Sequence, residues 1–261
     1  MYIFKRSFKA MYLVLMVSLL WGCTAPVRIS SEADLRERYR RAVADARIAE
    51  PAEISRNLVA VVDYNRDLVW KEGPGQQWVR VVTWTSWQGY DDKVGQAMVT
   101  SREIWVTVVP ELQRFCQQCG HSGGVLTLRL EQLLGLPPHN GKTRFVEIWV
   151  SSEDLFRPSP DPEISDHEAG LNFPVSRKFV TIADDYVRWF DDLKNDSYGE
   201  DGYPWTRLGY TYDWGNPGSE IGLSEFVIPK GAAIEVHSVA ATGDYCTGTS
   251  RGRAKPAFSP K

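Results

Sequence analysis

The 261-residue chain contains no uninterrupted apolar run near the length of about 20 residues that a membrane-spanning helix needs. It has no Gly-x-Ser-x-Gly elbow, which argues against an α/β-hydrolase nucleophile. Gly-x-Gly-x-x-Gly and P-loop sequences are missing, so nucleotide chemistry of those types is excluded. No EF-hand loop occurs. Cysteine is scarce, with four residues at Cys23, Cys116, Cys119 and Cys246, and His121, His139 and His237 are isolated in sequence. Positive charge is in deficit: 30 basic residues stand against 33 acidic ones. General nucleic-acid binding wants a basic face, so nucleic acid is not an expected partner.

What the chain does have begins at its N-terminus. Lys5, Arg6 and Lys9 precede an uncharged apolar run from Met11 to Leu20. Ten apolar residues behind a basic segment fit the h-region of a secretory signal. The run ends in Leu20-Trp21-Gly22-Cys23. This resembles the bacterial lipobox, in which a small residue precedes a cysteine that is diacylated and becomes the new N-terminus. Trp21 departs from the small residue usual one step earlier. The resemblance covers residues 1–23 and implies lipidation at Cys23, a membrane partner through the lipid and a cell-envelope location. Thr24, which is not an aspartate, implies by analogy the periplasmic face of the outer membrane. Residues 1–22 are then a signal peptide, leaving 239 residues with 27 basic and 33 acidic side chains, a net charge of −6.

Residues 23–52 are expected to form a lipidated tether followed by a helix. Ser31-Glu32-Ala33-Asp34 resembles a capping box, and Leu35, Tyr39, Ala42, Val43 and Ala46 recur at helical spacing. Arg36–Arg41 on that helix is expected to be a solvated, charge-paired face. Residues 53–250 are expected to form one α+β domain, with a largely antiparallel or mixed sheet and several helices packed on it, before a flexible tail at 251–261. Strands are predicted over 58–64, 67–71, 79–86, 102–109, 143–151 and 205–214, and helices over 111–119, 126–136 and 179–193. Strands 79–86 and 102–109 are expected to be antiparallel neighbours. Residues 152–178 hold four prolines among several acids without periodicity and read as a long loop.

The segment Ser224–Gly231 is similar to the glutamate strand of ADP-ribosyltransferases over fewer than ten residues. Leu223 stands where that family carries a further acid, and no accompanying arginine strand is evident. The expectation is a plain hairpin, with 224–228 and 232–239 flanking Pro229-Lys230-Gly231.

Three constellations could carry chemistry. Cys116-Gln117-Gln118-Cys119-Gly120-His121 fails as a haem-attachment motif, because Gly120 separates the second cysteine from the histidine. Cys116, Cys119, His121 and Cys246 supply enough ligands for tetrahedral zinc, and the spacing resembles a zinc knuckle. As a thiol-redox pair, the cysteines lack the surrounding βαβ pattern. The favoured reading is a structural disulfide from Cys246 to one cysteine of the helix pair, with the third cysteine buried and inert and no cofactor. Asp161, Glu163, Asp166, His167 and Glu168 could serve acid/base hydrolysis of a glycan or bind calcium, although a solvated acidic loop is the simpler reading. Tyr210, Tyr212 and Trp214 share strand parity and could stack on a sugar; the competing reading is core. The leading functional expectation is a non-catalytic envelope module that binds a protein or glycan. The alternatives are an envelope glycan hydrolase using residues 161–168 and a cysteine-based zinc or redox protein.

Overall fold

The computed structural model describes residues 31–73, 76–174, 184–199 and 201–248. The lipidation candidate Cys23, the signal segment and the tail from 251 lie outside the described residues, as does the first part of the helix expected from 179. No described helix is long and apolar enough to cross a membrane.

The first helix, α1 (Glu32–Ala46), starts where the capping chemistry placed it. The Asp34 amide donates to Ser31 Oγ, and the Ser31 amide donates to the Asp34 carboxylate, each at 3.1 Å. Leu35, Tyr39 and Val43 are buried against Tyr198 and Trp214, so α1 packs onto the domain. Its arginines point outward: Arg36 pairs with Glu32, while Arg40 and Arg41 pair with Glu37.

A seven-stranded antiparallel sheet forms the body, comprising β1 (Trp70–Gly73), β2 (Gln76–Thr85), β3 (Ala97–Val99), β4 (Ile104–Val108), β5 (Arg144–Ser151), β8 (Phe226–Ile228) and β9 (Ala233–Ala241). The order is β3-β9-β5-β2-β4-β8, with β1 also on β2. A separate pair, β6 (Tyr210–Tyr212) and β7 (Ile221–Ser224), completes the strands. The fold is therefore a single α+β domain with an antiparallel sheet.

The expected hairpin at Pro229–Gly231 is a turn between strands that do not pair. β8 bonds to β4, and β9 bonds to β5 and β3. In a flat sheet, β8 and β9 would lie four strand spacings apart, about 19 Å. Yet a four-residue link closes with the Ala232 amide donating to the Pro229 carbonyl, and Gly231 takes φ 91°. The sheet must curl to permit this. Its concave face encloses Val79, Val81, Val108, Ile148, Phe226 and Ile234. On its convex face α2 (Val109–Cys119), α3 (Gly123–Leu133) and α5 (Thr242–Thr247) cover Val82, Trp84 and Phe145. The last helix to place, α4 (Asp184–Ser197), puts Tyr186, Trp189 and Phe190 against Phe156 and Trp205.

Two other expectations change. Residues 58–64 form no strand, because their amides bond to a loop: Leu58 to His167 and Val61 to Ile164, at 2.9 and 2.7 Å. The strand expected over 205–214 contracts to Tyr210–Tyr212.

Candidate functional site

The pairing of β2 changes along its length. On one side β5 accompanies it from Trp78 to Thr85. On the other side β1 ends at Val79, and β4 then meets it only at Val81–Val108 and Val82–Thr107. Beyond that point the strands diverge, with β2 following β5 while Ile104–Val106 of β4 follows β8. A wedge opens between Thr83–Thr85 and Ile104–Val106, and a cavity of about 510 Å³ occupies it. The size suits a small-molecule or short-segment site.

The closed end of the wedge lies at Val82 and Thr107. Glu225 is there, because the next residue, Phe226, pairs with Val106. The open end lies at Thr85, whose carbonyl accepts from the Thr143 amide, which places Lys142 at the mouth. Aromatic rings supply the walls. Trp105 and Trp205 meet edge to face at 6.3 Å, and Trp84 stacks on Phe145 at 5.6 Å. At the rim Trp87 packs on Tyr90 at 4.6 Å, with the Arg102 guanidinium over the Trp87 ring. Exposed Glu103 and Tyr203 complete the mouth.

Glu225 and Lys142 are the chemically distinctive groups of the cleft. Neither side chain has a hydrogen-bond or ion-pair partner among the described residues; only their amides are engaged, Glu225 to the Gly209 carbonyl and Lys142 to Asn140. Both line the cavity, so part of each side chain faces its space while protein surrounds the rest. Desolvation acts on each according to charge type. Burial pushes the Glu225 carboxyl up to about 8, and burial pushes the Lys142 amine below its ordinary range. At neutral pH, Glu225 therefore holds a proton in the free protein.

No protein-family model, curated protein or solved structure matches the chain. The site thus stands on its own geometry.

The residues singled out from sequence lie elsewhere, with one exception. Cys116 and Cys246 form a disulfide across 130 positions. This consumes two of the four proposed zinc ligands, leaving Cys119 and exposed His121, and no described group of three or more such side chains could hold a metal. Cys119 is the free thiol among the described residues; contrary to expectation it is only half-buried, donating weakly to the Cys116 carbonyl at 3.7 Å.

The acids of 161–168 do not line the cleft. They surround Arg157, which is fully buried. Its guanidinium donates to the Asp166 carboxylate at 2.8 Å and to the carbonyls of Asp166, Glu168 and Val59 at 2.5, 2.9 and 3.1 Å. Burial alone would raise the Asp166 pKa, but the Glu168 amide and Arg157 hold it below the usual carboxylate range. His167 bonds to the Leu58 carbonyl, Glu163 to Ser165, and Glu168 faces Arg56. Glu163, Asp166, His167 and Glu168 are thus engaged in the loop's own contacts, whereas the buried Asp161 Oδ1 has no hydrogen-bond partner among the described residues.

Tyr210 and Trp214 are core residues and form no sugar platform. The Tyr210 hydroxyl donates to the Glu53 carbonyl, and the Trp214 indole donates to that of Leu136. Half-buried Tyr212 donates to Asp45 and is the one member of the trio on the cleft wall.

Proposed function

We propose that this protein is a lipid-anchored module of the bacterial cell envelope that binds a ligand, without catalysing its conversion, in the cleft between β2 and β4. The observation that carries the binding reading is the pair of partnerless ionisable side chains, Glu225 and Lys142, in an aromatic-walled cavity of about 510 Å³. A buried ionisable group without a partner costs several kcal/mol unless it neutralises or finds an opposite charge. A ligand supplies what the fold withholds. Catalysis by paired carboxyl groups needs two of them flanking one bond. The other cleft acid, Glu103, is exposed at the mouth while Glu225 is at the closed end.

The anchor reading rests on Lys5, Arg6 and Lys9, the Met11–Leu20 run and Leu20-Trp21-Gly22-Cys23. Two or three acyl chains hold a protein on a membrane stably, at about 0.8 kcal/mol per buried CH₂. Growth with an alkynyl palmitate analogue tests it. The wild type should carry the label in the membrane fraction, and Cys23→Ser should lose the label and appear in the soluble periplasmic fraction. A label retained by Cys23→Ser would contradict it. The cleft is tested by calorimetric titration with short peptides and short neutral oligosaccharides, with Trp105→Ala as the control expected to lose whatever binds.

A further inference from the structure

We propose that the cleft receives a short extended peptide of three or four residues with free ends, its amino group at Glu225 and its carboxylate at Lys142. The inference rests on the cleft being a binding site and names what occupies it.

The two charges lie at opposite ends. Glu225 is next to the last β2–β4 pair, Val82–Thr107, and Lys142 adjoins the Thr85 end. From Val82 to Thr85 is three strand steps, about 10 Å. Neither group shifts the other's ionisation, since burial alone acts on each. One small ion cannot satisfy both groups. A ligand with a cation at one end and an anion about 10 Å away can, and a tripeptide or tetrapeptide in extended form has that span. With an ammonium beside it, the Glu225 carboxyl releases its proton to solvent and remains as a carboxylate held by a charge-assisted bond.

The strand edges point the same way. Thr83–Thr85 and Ile104–Val106 belong to antiparallel neighbours that have parted, and each is paired only on its far side. Edges of this kind accept an added strand through main-chain hydrogen bonds. β2 runs from the closed end to the mouth and β4 runs the reverse way. A peptide with its amino end at Glu225 then runs antiparallel to β4 and parallel to β2. Trp84 and Trp105 supply apolar surface for its side chains. The remaining charged groups of the cleft, Arg102 and Glu103, are exposed at the mouth; Arg102 adds to the positive charge that Lys142 offers a carboxylate.

A neutral oligosaccharide would use the aromatic walls but leave both charges without counter-charges. The deciding experiment titrates the full chain, isolated from the envelope in detergent, with four probes in a calorimeter. These are a mixed tripeptide and tetrapeptide pool with free ends, the same pool N-acetylated, the same pool C-amidated, and a pool of short neutral oligosaccharides. The free pool should bind, and each blocked pool should bind at least ten-fold more weakly. Glu225→Gln should abolish the penalty of acetylation and keep that of amidation, and Lys142→Met should do the converse. Equal binding of free and blocked peptides overturns the inference. Binding of oligosaccharides alone overturns it while leaving a ligand cleft. No binding by any pool overturns both the inference and the cleft reading. The free-versus-blocked comparison on the wild type stands even if a variant does not fold.

Discussion

Arg157 and Glu225 are ionisable side chains enclosed by the same small domain, some seventy positions apart in sequence, and they are treated in opposite ways. Arg157 has no exposed surface, yet four acceptors from residues 59, 166 and 168 surround its guanidinium, and only its Nε lacks a partner. Glu225 has no side-chain partner among the described residues and faces a cavity. A satisfied buried charge fastens chain to chain. A loop without secondary structure is held because its carbonyls converge on one cation. An unsatisfied buried charge fastens nothing and reduces the stability of the free protein. Its cost is explicable if a ligand offsets it, and the contrast therefore separates the structural ion from the binding one.

The contrast can be broken most severely at the first site. Arg157→Met strips four carbonyl and carboxylate acceptors of their donor and should destabilise the protein by about 3–5 kcal/mol in urea unfolding. A loss below about 1 kcal/mol would mean that the hub does not hold the loop. Next is the covalent counterpart. Replacing Cys116 and Cys246 together with serine opens a link of 130 positions, and in the chain-entropy account should cost about 2–4 kcal/mol, read in the same assay without reductant.

Glu225 should respond with the opposite sign. Its carboxyl pKa is raised in the folded state, so between about pH 4.5 and about 8 the native protein keeps a proton that the unfolded chain releases. Stability from this group is therefore lost as pH rises through that window. Glu225→Gln should remove that slope and stabilise the free protein by about 1–3 kcal/mol at pH 8, with cavity water moderating the gain. Denaturation midpoints of both proteins at intervals from pH 5 to pH 8 check this, and parallel curves would refute it. The smallest effect belongs to Lys142. Its lowered pKa disfavours the native state below the unfolded lysine value, so Lys142→Met should raise apo stability by less than about 1 kcal/mol while weakening any anionic ligand.

Much of the frame was legible in the sequence because it is local. Alternation located β2 and β5. The capping box placed α1, and Pro110 with Gly120 bracketed α2, where Gly120 takes the left-handed conformation at φ 61°. A disulfide from Cys246 to the helix pair was anticipated, but no local signal chooses Cys116 over Cys119; the contact is set by α5 packing on α2.

The site was not legible because it arises from a failure of pairing between distant segments. Val79–Ser86 and Arg102–Val109 are antiparallel neighbours as the sequence suggests, but nothing local says how far they pair, and the cleft exists because they meet at two residues only. Glu225 passed as a strand residue of a hairpin. Its one local oddity is a carboxylate directly before the buried run Phe226–Ile228, and the β4–β8 pairing turns that oddity into a site. The loop over 152–178 lacked periodicity because hydrogen bonds to Arg157 order its 157–168 portion without repetition in sequence.

The most direct test is to titrate the Glu225 side-chain carboxyl by ¹³C NMR, assigned by its loss in Glu225→Gln, in the free protein and with the free-ended peptide pool. The account predicts a midpoint near 8 without peptide. With peptide bound, the carboxylate signal should persist to below pH 5, because the ammonium holds the ionised form. A midpoint in the ordinary glutamate range in the free protein, unchanged by peptide, would contradict it.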